Sequence, residues 1–417
     1  MPEAKVQEDQ NKTFVKLTFK ELFDKIGFGF SSQQFINILF FQISGSYFLL
    51  GLVNGLRVVF GNLAYFLIGN YKSALNRKFI SLSGIIFGFS FLLMAVAIYL
   101  KSIILFSFAM VISSIFVIFY GESRGLFALS SSKAYFIEKI VKYGLIVTAV
   151  SLFAAAYILD NFPSAGFPIL LNFSNYLFSA KIYGYLIVFE IAAVAFILAG
   201  YILSHTKAEN VKVNASNLKG NFSIFVKNKI LFLLIIVNVI IGIVQVTGYS
   251  YYGIFIYENF KNEFFGGFLN VAMVFLISVF TSLIGYFITK INSKVYRKFP
   301  MLLFGIFFIM AMPFMYFFIP DLIFLTIATI LGVIGSSAIG VTNSMIAIEL
   351  VRHDLRQAYF SFTNLLALPF LIITAPIFAY IAQIYGLQTL FLVLTLILAV
   401  TIIVLCYASI FFKKEIV

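Results

Sequence analysis

One arginine interrupts an otherwise uncharged run, YFLLGLVNGLRVVFGNLAYFLIG, residues 47–69. A guanidinium that deep in apolar sequence is costly unless an acid or a ligand meets it, so Arg57 marks function by default. Asn54 lies three residues before it and Gly61 four after, a spacing that puts all three on one helical face. From such a face a guanidinium can hold a carboxylate, phosphate or other oxyanion through two parallel hydrogen bonds, which no neutral side chain matches. The competing partner is a glutamate from a neighbouring helix, Glu122 first among them. A second lone charge, Glu190, falls about two turns into another apolar run. Glu190 and Glu122 are the candidates for carrying a coupled proton, with a structural partner or an interfacial position as the alternative for Glu190.

A third feature is a stripe. Asn238, Gln245, Tyr249 and Tyr252 recur seven, four and three residues apart, which lines one side of a helix with amides and phenols. That side suits the wall of a polar cavity or hydrogen bonds between helices. Asn37, Gln42, Asn270, Asn343 and Asn364 are single polar groups in other apolar runs and carry the same two readings. The single cysteine, Cys406, excludes an intramolecular disulfide framework, and two histidines, His205 and His353, make a histidine metal site improbable. No GxxxxGK[ST] loop and no potassium-filter sequence occurs, so the chain has no nucleotide-hydrolysis motif and no expected catalytic residue, metal or cofactor.

These residues must be held by helices in a bilayer. The chain has 417 residues, 62% of them hydrophobic and 11% charged, with a mean hydropathy of +1.04. Runs of about 20 apolar residues predict twelve spans. They begin near Ile26, Ser46, Phe79, Ser102, Val141, Ile182, Ile230, Phe265, Met301, Leu322, Ala358 and Leu390. The opening residues MPEAKVQEDQNK lack a signal-peptide pattern, so the first span is expected to stay in the mature protein. Nearly all of the 29 lysines and arginines fall in alternate loops; only Lys101, Lys181 and Lys261 lie on the other side, with Arg57 inside a span. Both termini are therefore expected in the cytoplasm, and the net charge of +13 reports membrane topology and anionic lipid rather than nucleic acid.

The expected organisation is a cytoplasmic segment over residues 1–25, a six-helix bundle over 26–204, a cytoplasmic linker over 205–229, a second bundle over 230–412 and a tail over 413–417. Within the first segment, Val15, Phe19, Leu22, Phe23 and Ile26 share one face and Lys16, Lys20, Asp24 and Lys25 lie elsewhere. That pattern reads either as a helix lying at the interface or as the frayed start of the first span.

The two halves share a signature. NRKFIS follows LIG in the first half (67–69, then 76–81), and YRKFPM follows LIG in the second (283–285, then 296–301). Each Arg-Lys-Phe cluster sits in the cytoplasmic turn between the second and third helix of its half. Like-oriented halves are parallel repeats, an arrangement that places a site between them near the midplane.

At these residues the sequence resembles the major facilitator superfamily over essentially its whole length. The family's turn between helices 2 and 3 reads G-x-L-a-D-R-x-G-R-K; Gly69, Arg77 and Lys78 match it, whereas Ser73, Ala74 and Asn76 depart from it. Residues 348–386 resemble the family's later turn and eleventh helix, with Glu349, Arg356 and Ala358 at the E…R-x-A positions and Pro376 and Gly386 further on. The resemblance implies an all-α integral membrane protein of twelve helices in two six-helix pseudo-repeats. It also implies a second helix bordering a central cavity. The basic turns, Gly69, Arg77, Lys78, Arg124, Arg297 and Lys298 together with Glu349 and Arg356, are candidate cytoplasmic gate residues as well as plain topology signals. Helix 5 lacks the Gly-Pro pair of the family's drug/proton antiporters.

The expected function is a secondary active transporter that moves a small organic, anionic solute across the cell membrane by alternating access, driven by a proton or solute gradient. An exporter of hydrophobic compounds and a non-transporting receptor or scaffold are the alternatives. The partners expected are a small-molecule substrate and the lipid bilayer, and the layout is compatible with a monomer.

Overall fold

The computed structural model describes residues 2–71, 76–121, 134–162, 167–173, 176–206, 222–277, 281, 298–352 and 355–411. In chain order the helices are α1 (Pro2–Phe30), α2 (Gln33–Ser44), α3 (Tyr47–Tyr71), α4 (Arg77–Tyr99), α5 (Ile103–Gly121) and α6 (Ala134–Asn161). A hairpin of β1 (Phe167–Phe173) and β2 (Tyr176–Ile182) follows, then α7 (Gly184–Ser204), α8 (Phe222–Lys227) and α9 (Lys229–Phe260). The last helices are α10 (Gly267–Ile277), α11 (Lys298–Phe318), α12 (Leu322–Leu350) and α13 (Arg356–Phe411).

Among the described residues, nine helices are long and apolar enough to cross a bilayer. One of them, within α13, is two spans joined at Gly386, whose φ of 85° and ψ of 166° break the helix between the eleventh and twelfth predicted spans. The predicted first span is divided between α1 and α2 at Ser31 and Ser32, and the predicted eighth is described only as α10. The twelve-span, all-α bundle of the sequence analysis accounts for all of these. The antiparallel hairpin, which pairs Phe167 with Ile182 and Phe173 with Tyr176, is an addition in the connection before α7.

Local chemistry sets the helix ends. The side chains of Asn76, Asn228 and Asp321 accept hydrogen bonds from the first free N–H groups of α4, α9 and α12. Inside the spans, hydroxyls turn back on their own helix: Thr148, Ser250, Thr329, Thr342 and Thr395 each donate to the carbonyl four residues earlier. In hydrocarbon no water can take that proton, so the helix satisfies it internally.

Contacts group the chain into two units. Unit 1 holds residues 1–44, 73–213 and 257–272; unit 2 holds residues 45–72, 214–256 and 273–417. In unit 1, α4 and α7 pack through small residues. Ser81 donates to the carbonyl of Gly200 at 2.6 Å, and a Cβ on Gly88 would stand 2.8 Å from the carbonyl of Ala193. The core beside them is aromatic, Phe28, Phe87, Phe91 and Phe196 meeting with ring centroids 4.5–6.2 Å apart. In unit 2 the same device recurs. Gly51 and Gly55 of α3 face Ala379 and Ala375 of α13, and Gly335 of α12 lies against the backbone of Gly305 in α11. Four-residue spacing of small residues lets helix axes approach where no hydrophobic force drives helices together in lipid.

The first helix is continuous with the residues expected to open the first span. α1 runs unbroken to Phe30, and its polarity is inverted: Val15 and Phe19 are exposed, at 51% and 53%, while Lys20, Glu21 and Asp24 are buried. A helix edged by lipid turns apolar side chains outward and partners its charges inside the bundle. Of the polar residues of this segment, Lys20 and Asp24 are therefore core, while Lys16 is exposed and Lys25 half-buried.

Candidate functional site

Arg57 sits in α3, half-buried, with its Nη1 donating to Oδ1 of Asn54 at 3.0 Å across one helical turn. The sequence spacing alone placed that pair together. Asn54 is buried at 2% exposure. The buried Nε of Arg57 has no hydrogen-bond partner, and no acid pairs with Arg57 among the described residues. Among the described residues, one of its five donors, on Nη1, is engaged. Glu122, its expected structural partner, lies outside the described residues, as do Arg124 and Arg297.

The α9 stripe is largely structural. Asn343 of α12 donates to Asn238, Gln245 donates to Ser336 at 2.7 Å, and these bonds tie α9 to α12. Tyr252 is 3% exposed inside an aromatic cluster, its ring 4.4 Å from that of Tyr316 and 5.2 Å from that of Phe391. Tyr249 extends the cluster, 6.0 Å from Tyr252. So the structure brings Asn238 and Asn343 together as a bond between helices, and the phenols stand among rings. Asn364 is half-buried on α13, and Asn37 is fully buried on α2.

Asn270 is wholly buried and clamps a turn. Its amide donates to the carbonyls of Phe260 and Glu263 at 2.7 and 2.8 Å, and its oxygen accepts from the N–H of Phe265. Glu190 is exposed on α7, whose buried residues include Val188, Phe189, Ala192, Ala193 and Phe196.

Of the gate candidates, Gly69 lies in the last turn of α3, and Arg77 and Lys78 open α4, half-buried and exposed respectively. Lys298 begins α11. Glu349 is exposed near the end of α12, and Arg356 begins α13 with Nε donating to the carbonyl of Val351 at 3.3 Å.

One cluster escaped the sequence reading. In unit 1 the Lys20 ammonium lies 2.7 Å from Asp24 and 2.9 Å from Glu21, and the Tyr120 hydroxyl donates to Asp24 at 2.6 Å. The Tyr120 ring lies 5.0 Å beneath the ammonium. Gly84 makes room for that ring, since a Cβ there would stand 2.5 Å from it. The missed signal was the absence of any helix break between Phe14 and Phe30, which joins these charges to the first span.

No family model and no curated protein matches the chain. Solved structures do. The nucleoside transporter NupG superposes with a TM-score of 0.73 at 12% identity, covering 95% of this chain and 98% of that one. An aspartate-to-alanine mutant of NupG gives 0.72 at 13% identity, covering 95% and 99%. Tetrameric PepTSo2 gives 0.67 at 12% identity, covering 98% and 100%. These likenesses show the fold: the chain has the twelve-span major facilitator fold that its sequence resembles.

Proposed function

We propose that the chain is a secondary active transporter of a small organic anion, working by alternating access in the cell membrane with both termini in the cytoplasm. Several observations support the reading: the fold is shared with transporters along nearly the full chain, and the basic residues alternate between loops. The single observation that carries the substrate class is Arg57, a guanidinium within a span, with an orphan Nε and no acid beside it among the described residues. A charged hydrogen bond at such a position contributes about 1.5–3 kcal/mol. Arg57 is the anion contact and Asn54 orients it. The nucleoside named for NupG is a solute without a carboxylate; the charge on α3 favours an anionic solute over a neutral one. The basic turns at Arg77, Lys78 and Lys298, with Glu349 and Arg356, serve as the cytoplasmic gate, and a proton or solute gradient supplies the driving force.

The test is uptake by the purified protein in liposomes, with a panel of labelled carboxylates, phosphates and neutral analogues. Arg57→Ala should lower uptake of the transported anion by about 10- to 150-fold, and Arg57→Lys should restore part of it, since an ammonium keeps the charge and loses the fork. Uptake by Arg57→Ala at the wild-type rate, or a neutral solute preferred throughout, overturns the anion assignment. Failure of every solute to accumulate overturns transport.

A further inference from the structure

Unit 1 contains a contact that joins the two halves of the sequence, and it rests on one carboxylate. Asp160, at the end of α6, accepts hydrogen bonds from the backbone N–H of Phe268 to Oδ1 at 2.9 Å and of Leu269 to Oδ2 at 2.8 Å. Those N–H groups belong to the first turn of α10, where the helix has no carbonyls of its own to offer them. An anion there is also favoured by the partial positive charge of the helix end. No cation pairs with Asp160 among the described residues, and there its charge is met by those two bonds and the helix end.

The surroundings are built to present α10 to it. Gly266, with φ at +110°, turns the chain into the helix, and Asn270 ties the preceding turn to Phe260 and Glu263. Gln42 of α2 adds a second link, donating to the Tyr257 hydroxyl at 2.9 Å. Beside the carboxylate lies a cavity of about 150 Å³ lined by Asp160, Gln42, Tyr185, Tyr257, Leu39 and Phe268. At roughly 30 Å³ per molecule that is room for several waters, and its polar lining gives them partners. The other titratable groups on the neighbouring elements are Tyr183 at the start of α7, and Glu258, Lys261 and Glu263 around the end of α9, the last three exposed.

We propose that Asp160 is a proton-operated latch: ionised, it holds the start of α10 to the end of α6, and protonated through the adjoining cavity, it lets α10 go. Protonation converts one carboxylate oxygen into a hydroxyl, so one acceptor becomes a donor facing an N–H, and one of the two bonds is lost with the charge. In the proposed orientation this end of the helices faces away from the cytoplasm. Acid outside would then open that side and load the cycle. The inference rests on the transport reading for its purpose, while the latch itself can be tested without flux.

The test uses the full-length protein in nanodiscs with Cys406→Ser and Leu39→Cys, because Cys406 is the only native cysteine and Leu39 is a buried lining residue, 4% exposed. Maleimide labelling of the new cysteine is followed from neutral pH down to about 4, where an ordinary aspartate titrates, and is divided at each pH by labelling of a small free thiol in the same buffer. The ratio should rise at least about 5-fold on acidification, the equivalent of about 1 kcal/mol. In Asp160→Asn it should be high at every pH. Leu269→Pro removes one of the two donors from a first-turn position that tolerates proline, and should move the rise to higher pH. A flat wild-type ratio, an acid response kept by Asp160→Asn, or an unshifted response in Leu269→Pro overturns the latch. A clear acid response beside absent uptake would remove the transport reading and leave the latch standing.

Discussion

Replacing Lys20 by methionine tests whether the first helix is held by buried charge. The ammonium is 1% exposed and lies 2.7 Å from Asp24 and 2.9 Å from Glu21, both of them also buried. At an effective dielectric constant of about 20, each contact has a gross attraction of about 6 kcal/mol, most of which offsets the loss of water around the three ions. Taking away Lys20 leaves Asp24 and Glu21 buried without its charge, and breaking a buried pair in this way costs about 3–5 kcal/mol. Asp24→Asn should cost less, about 2 kcal/mol, because Glu21 still meets the ammonium. The assay is unfolding of the purified protein in mixed micelles at rising detergent denaturant, read by helical circular dichroism. Lys20→Met should unfold earliest, and Lys20→Met combined with Asp24→Leu should recover part of the loss, since an uncompensated charge has been removed. A Lys20→Met protein with the wild-type midpoint, or a double variant no better than the single, would refute the reasoning.

Two further substitutions probe the packing. A Cβ on Gly55 would stand 2.4 Å from the Cβ of Ala375, so Gly55→Leu should lower the unfolding midpoint by the equivalent of about 1–3 kcal/mol, and Ala375→Gly in the same chain should restore part of it. Gly386 holds φ 85° and ψ 166°, a region that side chains other than glycine rarely enter; Gly386→Ala should cost about 1–3 kcal/mol in the same assay while leaving uptake of a transported solute intact.

The spans from Tyr47 onward were legible because apolar runs of membrane length have few competing explanations, and the Arg57–Asn54 pair was legible because one helical turn fixes it. The Lys20 cluster was not, since an amphipathic pattern gives a period without a sign: periodicity shows that two faces differ, and only the surrounding solvent decides which of them turns inward. The α9 stripe shows a second limit. Its polar side faces α12 through Asn238–Asn343 and Gln245–Ser336, and a sequence cannot distinguish a wall that meets a neighbouring helix from one that meets solute. The hairpin before α7 had a signal that went unused: Ser174-Asn175 between two runs rich in Phe, Ile, Leu and Tyr. Asp160 had none, because its partners are backbone groups more than 100 residues away.

The inward charges of α1 also constrain the order in which the protein can be made. Asp24 is bonded to Tyr120, a residue on the far end of α5, so the opening segment has no complete set of partners until the ribosome has passed that point. A nascent chain cut before Tyr120 should leave its first helix within reach of water-soluble crosslinkers, and one extended beyond α5 should withdraw it.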